Sequence, residues 1–158
     1  MISTLFLKAQ SRTNLSNSVS IEVLGLGRYG SVGYQRLIVG DSSMQYYFRT
    51  GIGVMRFINF ENKFNPDIAI PTMFEAVFGE KKHHYEISGG QVYTSYSRCS
   101  TELGAEKRDN EFNLAIGAAY RYGAGENWVY RIAVYDILDD FEVLRPWGGL
   151  SARHRFGK

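Results

Sequence analysis

The sequence predicts an all-β fold, an antiparallel up-and-down meander of about eight strands closed into a barrel. Three observations carry this prediction. Aromatic residues make up 15% of the 158-residue chain and glycine contributes 17 residues against three prolines, a mixture that favours strands and tight turns over helices. Segments in which apolar and polar residues alternate recur along the whole chain, with no extended helical period between them. The connections nearly alternate too, a short glycine-bearing turn followed by a longer polar stretch.

The first strand is expected over 18–26, where Val19, Ile21 and Val23 alternate with serines and Glu22. Over 30–39, Val32, Tyr34 and Ile38 share one side, and Gly33 and Gln35 the other. The third strand, 44–58, holds the most regular stretch of the chain, "YYFRTGIGVMRF". Its Tyr46, Phe48, Ile52 and Val54 fall on one face, and Tyr47, Arg49, Gly51, Gly53 and Met55 on the other. Strands over 67–79 and 82–96 set Ile70, Phe74 and Phe78, then Tyr85, Ile87 and Tyr93, opposite Glu75 and Glu86. The strand over 111–122 sets Phe112, Leu114, Ile116 and Ala118 against Asn113 and Arg121. That over 126–138 sets Trp128, Tyr130, Ile132 and Val134 against Arg131. The last, 147–156, carries Leu150, Ala152 and Phe156 on one side, Arg153 and Arg155 on the other. Successive side chains of a strand point to opposite faces, so these sets are two surfaces of one sheet, one apolar and one charged.

Which surface lies inside decides the solvent. An apolar interior gives a water-soluble, lipocalin-like carrier of an apolar ligand; an apolar exterior requires lipid. Glycine or small residues at 33, 51, 53, 88, 90, 115, 117, 149 and 151 all stand on the charged face. Mid-strand glycine costs stability, and a water-facing surface has no need of it. The crowded bore of a narrow barrel does need room beside long charged side chains. On the apolar face the aromatics gather towards strand ends: Tyr46, Phe48, Tyr85, Tyr120, Trp128 and Tyr130 near short turns, Phe60, Tyr93 and Phe112 near long loops. Two such girdles mark the two interfaces of a membrane. Arg36 and Arg56 fall on the apolar phase close to strand ends, where a long side chain snorkels to head groups. The predicted fold is therefore a closed antiparallel transmembrane β-barrel, apolar side out.

The connections agree with that reading. "GDSS" at 40–43, "GEKK" at 79–82 and "GAGEN" at 123–127 are tight turns, whereas "NFENKFNPD" at 59–67, "STELGAEKRDN" at 100–110 and "LDDFEVLRP" at 138–146 are long and polar. Barrels of bacterial outer membranes have short periplasmic turns and longer outer loops. The link at 27–29 departs from the pattern, being short on the long-loop side. Within 100–110, Lys107 and Arg108 are expected to lie open to protease on an outward loop.

Other classes are limited by composition. A formal net charge of +2 gives no reason to expect nucleic-acid binding. Outside residues 1–9 no apolar run approaches the ~18 residues of a membrane helix. "MISTLFLKA" at 1–9 reads as the remnant of a signal peptide with cleavage between Ala9 and Gln10, or else as a frayed N-terminus, and 10–158 as the barrel domain. The single cysteine, Cys99, stands in no metal or thiol-redox motif.

"GSVGYQR" at 30–36, "FRTGIGV" at 48–54, "HHYEISGG" at 83–90, "AAYRYG" at 118–123, "YRIAV" at 130–134 and "RPWGGLSARHRF" at 145–156 resemble the small β-barrel outer-membrane proteins common in Bacteroidota. The resemblance covers nearly the whole chain after residue 17. It implies a Gram-negative outer-membrane location after a cleaved signal, and a terminal aromatic read by the barrel assembly machinery. Phe156 fits that place, although "GK" follows it.

The inward charges, Glu22, Arg49, Glu75, Glu86, Arg121, Arg131, Arg153 and Arg155, are the candidate site. Unpaired charge is expensive in such surroundings, so they are expected to form a linked salt-bridge network. Arg49 is expected to meet Glu86 across the bore, with Glu75 or Glu22 as the other possible partners. About eight strands leave an interior filled by side chains, which predicts a plugged bore and a structural or surface-interaction role through the outer loops. A narrow ion or small-solute channel is the alternative within the membrane. Tyr46, Phe48, Tyr85, Tyr93, Phe112, Trp128 and Tyr130 are the candidate interface aromatics. No cofactor or metal is expected, because paired His83 and His84 point to opposite faces of a strand. Nor is an enzyme, since His154 has only Ser151 nearby in sequence, on the opposite face. The expected partners are outer-membrane lipid, lipopolysaccharide and the assembly machinery, with the chain monomeric.

Overall fold

In a computed structural model the described residues are 17–59, 62–99, 106–138 and 146–156. They form eight strands: β1 (Asn17–Val23), β2 (Gly30–Gly40), β3 (Met44–Ile58), β4 (Phe64–Glu80), β5 (His83–Cys99), β6 (Glu106–Ala124), β7 (Trp128–Leu138) and β8 (Pro146–Phe156). Each pairs antiparallel with its neighbour in sequence, and β1 pairs with β8 from Asn17↔Phe156 to Val23↔Leu150, closing the barrel. The expected segment 1–9 lies outside the described residues.

Three tight turns, at 41–43, 81–82 and 125–127, share one end, here the turn end. At the first of them Asp41 accepts the backbone N–H groups of Met44 and Ser43, at 2.9 and 2.7 Å. These bonds favour the ionised carboxyl and hold it below its usual range. The opposite, loop end carries the connections from β1 to β2, β3 to β4, β5 to β6 and β7 to β8.

Strand boundaries differ from the sequence reading in one systematic way. β4, β5 and β6 run further towards the loop end than expected, the β5–β6 ladder continuing to Cys99↔Glu106. Alternation marks a strand only where one face is apolar; beyond that belt both faces are polar and the signal disappears. Lys107 and Arg108, expected on an open loop, are therefore ladder residues opposite Arg98 and Ser97. β1 is shorter than expected, because Leu24, Gly25 and Arg28 adopt positive φ and turn the chain inward.

The two faces separate as their alternation requires. Ile21, Val32, Ile52, Ile87, Ile116, Ile132, Val134 and Leu150 are exposed on the outside, in a continuous aliphatic belt. Aromatics flank the belt. Near the turn end Phe48 packs on Phe74, Phe78 on Tyr85, Tyr85 on Tyr120 and Trp128 on His154, with ring centroids 5.0–6.1 Å apart. Towards the loop end Tyr93 packs on Phe112 at 5.0 Å. Tyr46 and Tyr130 are exposed on the turn-end side of the belt, and Phe156 closes β8 there. Phe60 lies outside the described residues.

Arg56 departs from its expected phase. The β3–β4 register shifts on both sides of it, and the bulge turns its side chain to Asp67, with Nη2 2.9 Å from Oδ2. Nη2 also donates to the Ser97 carbonyl oxygen at 3.0 Å. Arg56 is thus an internal partner near the loop end, not a snorkelling residue.

Candidate functional site

The bore is filled in layers. Its charged layer is built by strands that each offer one long polar side chain inward at similar depth: Glu22 from β1, Arg49 from β3, Glu75 from β4, Glu86 from β5, Arg121 from β6 and Arg131 from β7. These six close into a ring of alternating sign. Arg49 spans Glu22 at 3.0 Å and Glu75 at 2.7 Å. Arg121 spans Glu75 at 2.6 Å and also contacts Glu86. Arg131 spans Glu86 at 2.5 Å and Glu22 at 3.4 Å, which completes the circuit. Each carboxylate meets two guanidinium groups and each guanidinium two carboxylates, so the ring is neutral as a unit.

The expected pair of Arg49 with Glu86 does not form. Arg49 engages Glu22 and Glu75, the two other partners the sequence offered, and Glu86 sits opposite it in the ring, between Arg121 and Arg131. Arg153 and Arg155, also expected in the network, stand outside it. Arg153 is buried without an ion pair among the described residues, and Arg155 is half-buried nearer the turn end, its backbone N–H donating to the Asn127 carbonyl.

Two tyrosines hold the ring from above and below. The Tyr135 hydroxyl donates to Glu22 at 3.0 Å and accepts from Arg49 at 2.9 Å and Arg131 at 2.5 Å. Its ring lies under both guanidinium groups, 5.7 and 5.2 Å from their carbons. On the turn-end side Arg121 stands over the Tyr47 ring at 5.3 Å. Gln35 donates to Glu75 and thereby ties β2 to the layer.

Sequence reasoning missed Tyr135, although the signal existed. It lies four residues after Arg131 on the same inward face, directly opposite Gly117 in the β6–β7 register. A Cβ on Gly117 would come within 2.6 Å of the Tyr135 ring, so this glycine makes room for tyrosine and not for an arginine.

Apolar layers close both sides of the ring. Towards the turn end Leu37, Tyr47 and Val77 pack together. Towards the loop end Met73, Val92, Ala69, Ala115 and Ala133 pack around Leu26, which is 1% exposed. Leu26 belongs to the β1–β2 link, the one that looked too short. Gly25 donates to the Gly148 carbonyl at 3.1 Å and Trp147 donates to the Leu24 carbonyl at 3.3 Å, pinning the link across the mouth. The fit depends on glycine against glycine, since a Cβ on Gly53 would lie 2.5 Å from the Gly27 Cα. Leu26→Ala is expected to lower unfolding free energy by about 2 kcal/mol, near the small end of buried Leu→Ala costs because a loop settles inward. Equilibrium unfolding in urea measures it.

Above this plug a cavity of about 670 Å³ opens at the loop end, with Leu26, Met55, Val92 and Ile137 as its floor and Glu111 and Trp147 on its wall. Tyr96 donates to Glu111, and the Arg28 guanidinium stands 5.7 Å from the Trp147 ring. Of the histidines, His83 Nδ1 meets the Tyr120 hydroxyl at 2.5 Å, and His154 packs on Trp128. Among the described residues no three His, Cys, Asp or Glu side chains are grouped to hold a metal.

No protein-family model matches the chain, and no curated protein matches it in sequence. Solved structures do match its shape. The N-terminal β-barrel domain of OprF from Pseudomonas aeruginosa aligns with a TM-score of 0.61 at 12% identity, covering 90% of this chain and 96% of that one. Ail, the attachment invasion locus protein of Yersinia pestis, crystallised with the heparin analogue sucrose octasulfate, aligns with a TM-score of 0.59 at 14% identity over 90% and 96% of the two chains. In a phospholipid bilayer nanodisc the same Yersinia protein aligns at 0.55 and 16% identity, over 90% and 99%. The chain has the closed, eight-stranded antiparallel barrel fold of these small outer-membrane proteins.

Proposed function

We propose that this chain is a non-catalytic β-barrel of a Gram-negative outer membrane, of the Bacteroidota type its motifs resemble. Its bore is sealed and its loop end is presented outside the cell as an interaction surface. One observation carries the reading: an aliphatic belt between aromatic girdles faces outward around a core of buried ion pairs. Water stabilises the reverse arrangement, and an exposed apolar belt of this extent calls for lipid. A carrier with an apolar cavity would need the opposite phase.

Strand length supports the orientation. About 9–11 residues cross the hydrocarbon, while β3 to β6 have 15 to 19, and the excess lies at the loop end. A channel is disfavoured by the two apolar layers that bracket the ring. Lipid and lipopolysaccharide are the proposed surroundings, the assembly machinery the proposed reader of Phe156, and the monomer the proposed state. The structural neighbours support an outer-membrane barrel; the bound heparin analogue is a property of Ail alone.

The native cysteine tests the topology. Cys99 is exposed at the loop end of β5. A membrane-impermeant maleimide added to intact cells is expected to label it, and labelling only after the outer membrane is breached would invert the proposed orientation. In a planar bilayer the purified barrel is expected to show no steady conductance; a stable open level would establish the channel reading instead.

A further inference from the structure

The ring balances itself, and one cation is left over. Its three carboxylates are each shared by two of its three arginines, so none is free for a fourth. Arg153, inward on β8 and 2% exposed, is that fourth. Its Nε and Nη2 are enclosed and have no hydrogen-bond partner among the described residues. A buried guanidinium that the carboxylates Glu75 and Glu86 attract only from a distance, with no ion pair or hydrogen bond of its own among the described residues, is costly for a protein interior to hold.

A second enclosed donor lies beside it. The Oγ of Ser151, the preceding inward residue of β8, is also buried without a partner. Inward positions two residues apart on a strand are separated by about 7 Å, a gap one ion bridges. Arg155, one inward step nearer the turn end, is half-buried and makes no side-chain ion pair among the described residues, so positive charge leads from that end towards Arg153. Arg153 offers only donors and a positive charge, which repels a metal cation, and the Ser151 hydroxyl can donate to the same anion. A water molecule would satisfy hydrogen bonds but not the charge.

We propose that Arg153 and Ser151 form a binding site for one small monovalent anion of halide size, inside the turn-end half of the bore. One negative charge makes the four buried arginines and three buried glutamates neutral. The site is independent of the role assigned to the loop end, so its failure leaves that reading untouched.

Thermal unfolding of the intact barrel in detergent micelles tests it, followed by circular dichroism in sodium chloride and sodium gluconate at equal ionic strength. Chloride is of the size proposed for the site, and gluconate is far larger. The unfolding midpoint is expected to rise with chloride and to saturate, by about 5 °C once the site is filled. Ser151→Ala keeps the charge and removes one donor, so about fivefold more chloride should be needed for the same shift. Arg153→Met should abolish the response and melt above the wild type in gluconate, because it removes a buried charge that makes no ion pair among the described residues. Bromide-soaked crystals should show an anomalous peak within hydrogen-bond distance of Arg153. Equal midpoints in the two salts, a chloride response retained by Arg153→Met, or water in place of bromide would each overturn the site.

Discussion

Glu86→Gln is expected to lower the barrel's unfolding free energy by about 3–5 kcal/mol, and Arg131→Met by a similar amount, while the double variant loses clearly less than the sum. The reason is the sharing within the ring. Glu86 lies between Arg121 and Arg131, fully buried, so neutralising it leaves two guanidinium groups each short of one partner in a medium that does not solvate them. Removing Arg131 in the same chain takes away one of those orphans. Arg121 then retains Glu75, and Glu22 retains Arg49. Combining Glu86→Gln with Arg49→Met tests the geometry from the other side. These residues are opposite each other and share no contact, so their coupling should fall well below that of Glu86 with Arg131. Urea titration of the two double-variant cycles reads both couplings, and equal coupling would contradict the closed ring.

Ile116→Arg is expected to cost about 2–4 kcal/mol in phospholipid bilayers, the penalty for a guanidinium at the hydrocarbon midplane. Ile116 is 50% exposed in the middle of β6, between Gly89 of β5 and Asp136 of β7, with its side chain outward. Phe112, nearer the loop end on the same face, provides the control, because an arginine there reaches the head groups and should cost about 1 kcal/mol or less. Equal costs at the two positions would mean that no hydrocarbon layer surrounds the belt.

The parts of this fold that were legible in the sequence are those where one face is oily. Alternation placed the outward sets of all eight strands because lipid-phase and bore-phase residues differ so sharply between positions such as Ile52 and Arg49. It failed where that contrast ends. The loop-end extensions of β5 and β6 are polar on both faces, and a bulge at Arg56 reversed the phase without leaving any mark in composition. The charged residues of the site could be named from their phase, but their pairing could not. Partners across a bore depend on strand stagger, and stagger set Arg49 beside Glu22 and Glu75 while carrying Glu86 to the far side. Leu26 illustrates a different limit. Read as the end of a strand, it became the plug because positive φ at Leu24, Gly25 and Arg28 folds the link inward, and bare backbone at Gly27 and Gly53 lets it fit.

The central claim is that the apolar face of this barrel meets lipid, and gel mobility of the protein recovered from fractionated cells tests it most directly. A folded outer-membrane barrel resists detergent until heated. The account predicts recovery in the outer-membrane fraction and a band that migrates differently before and after boiling. Recovery in the aqueous fraction, with the same mobility whether boiled or not, would contradict it.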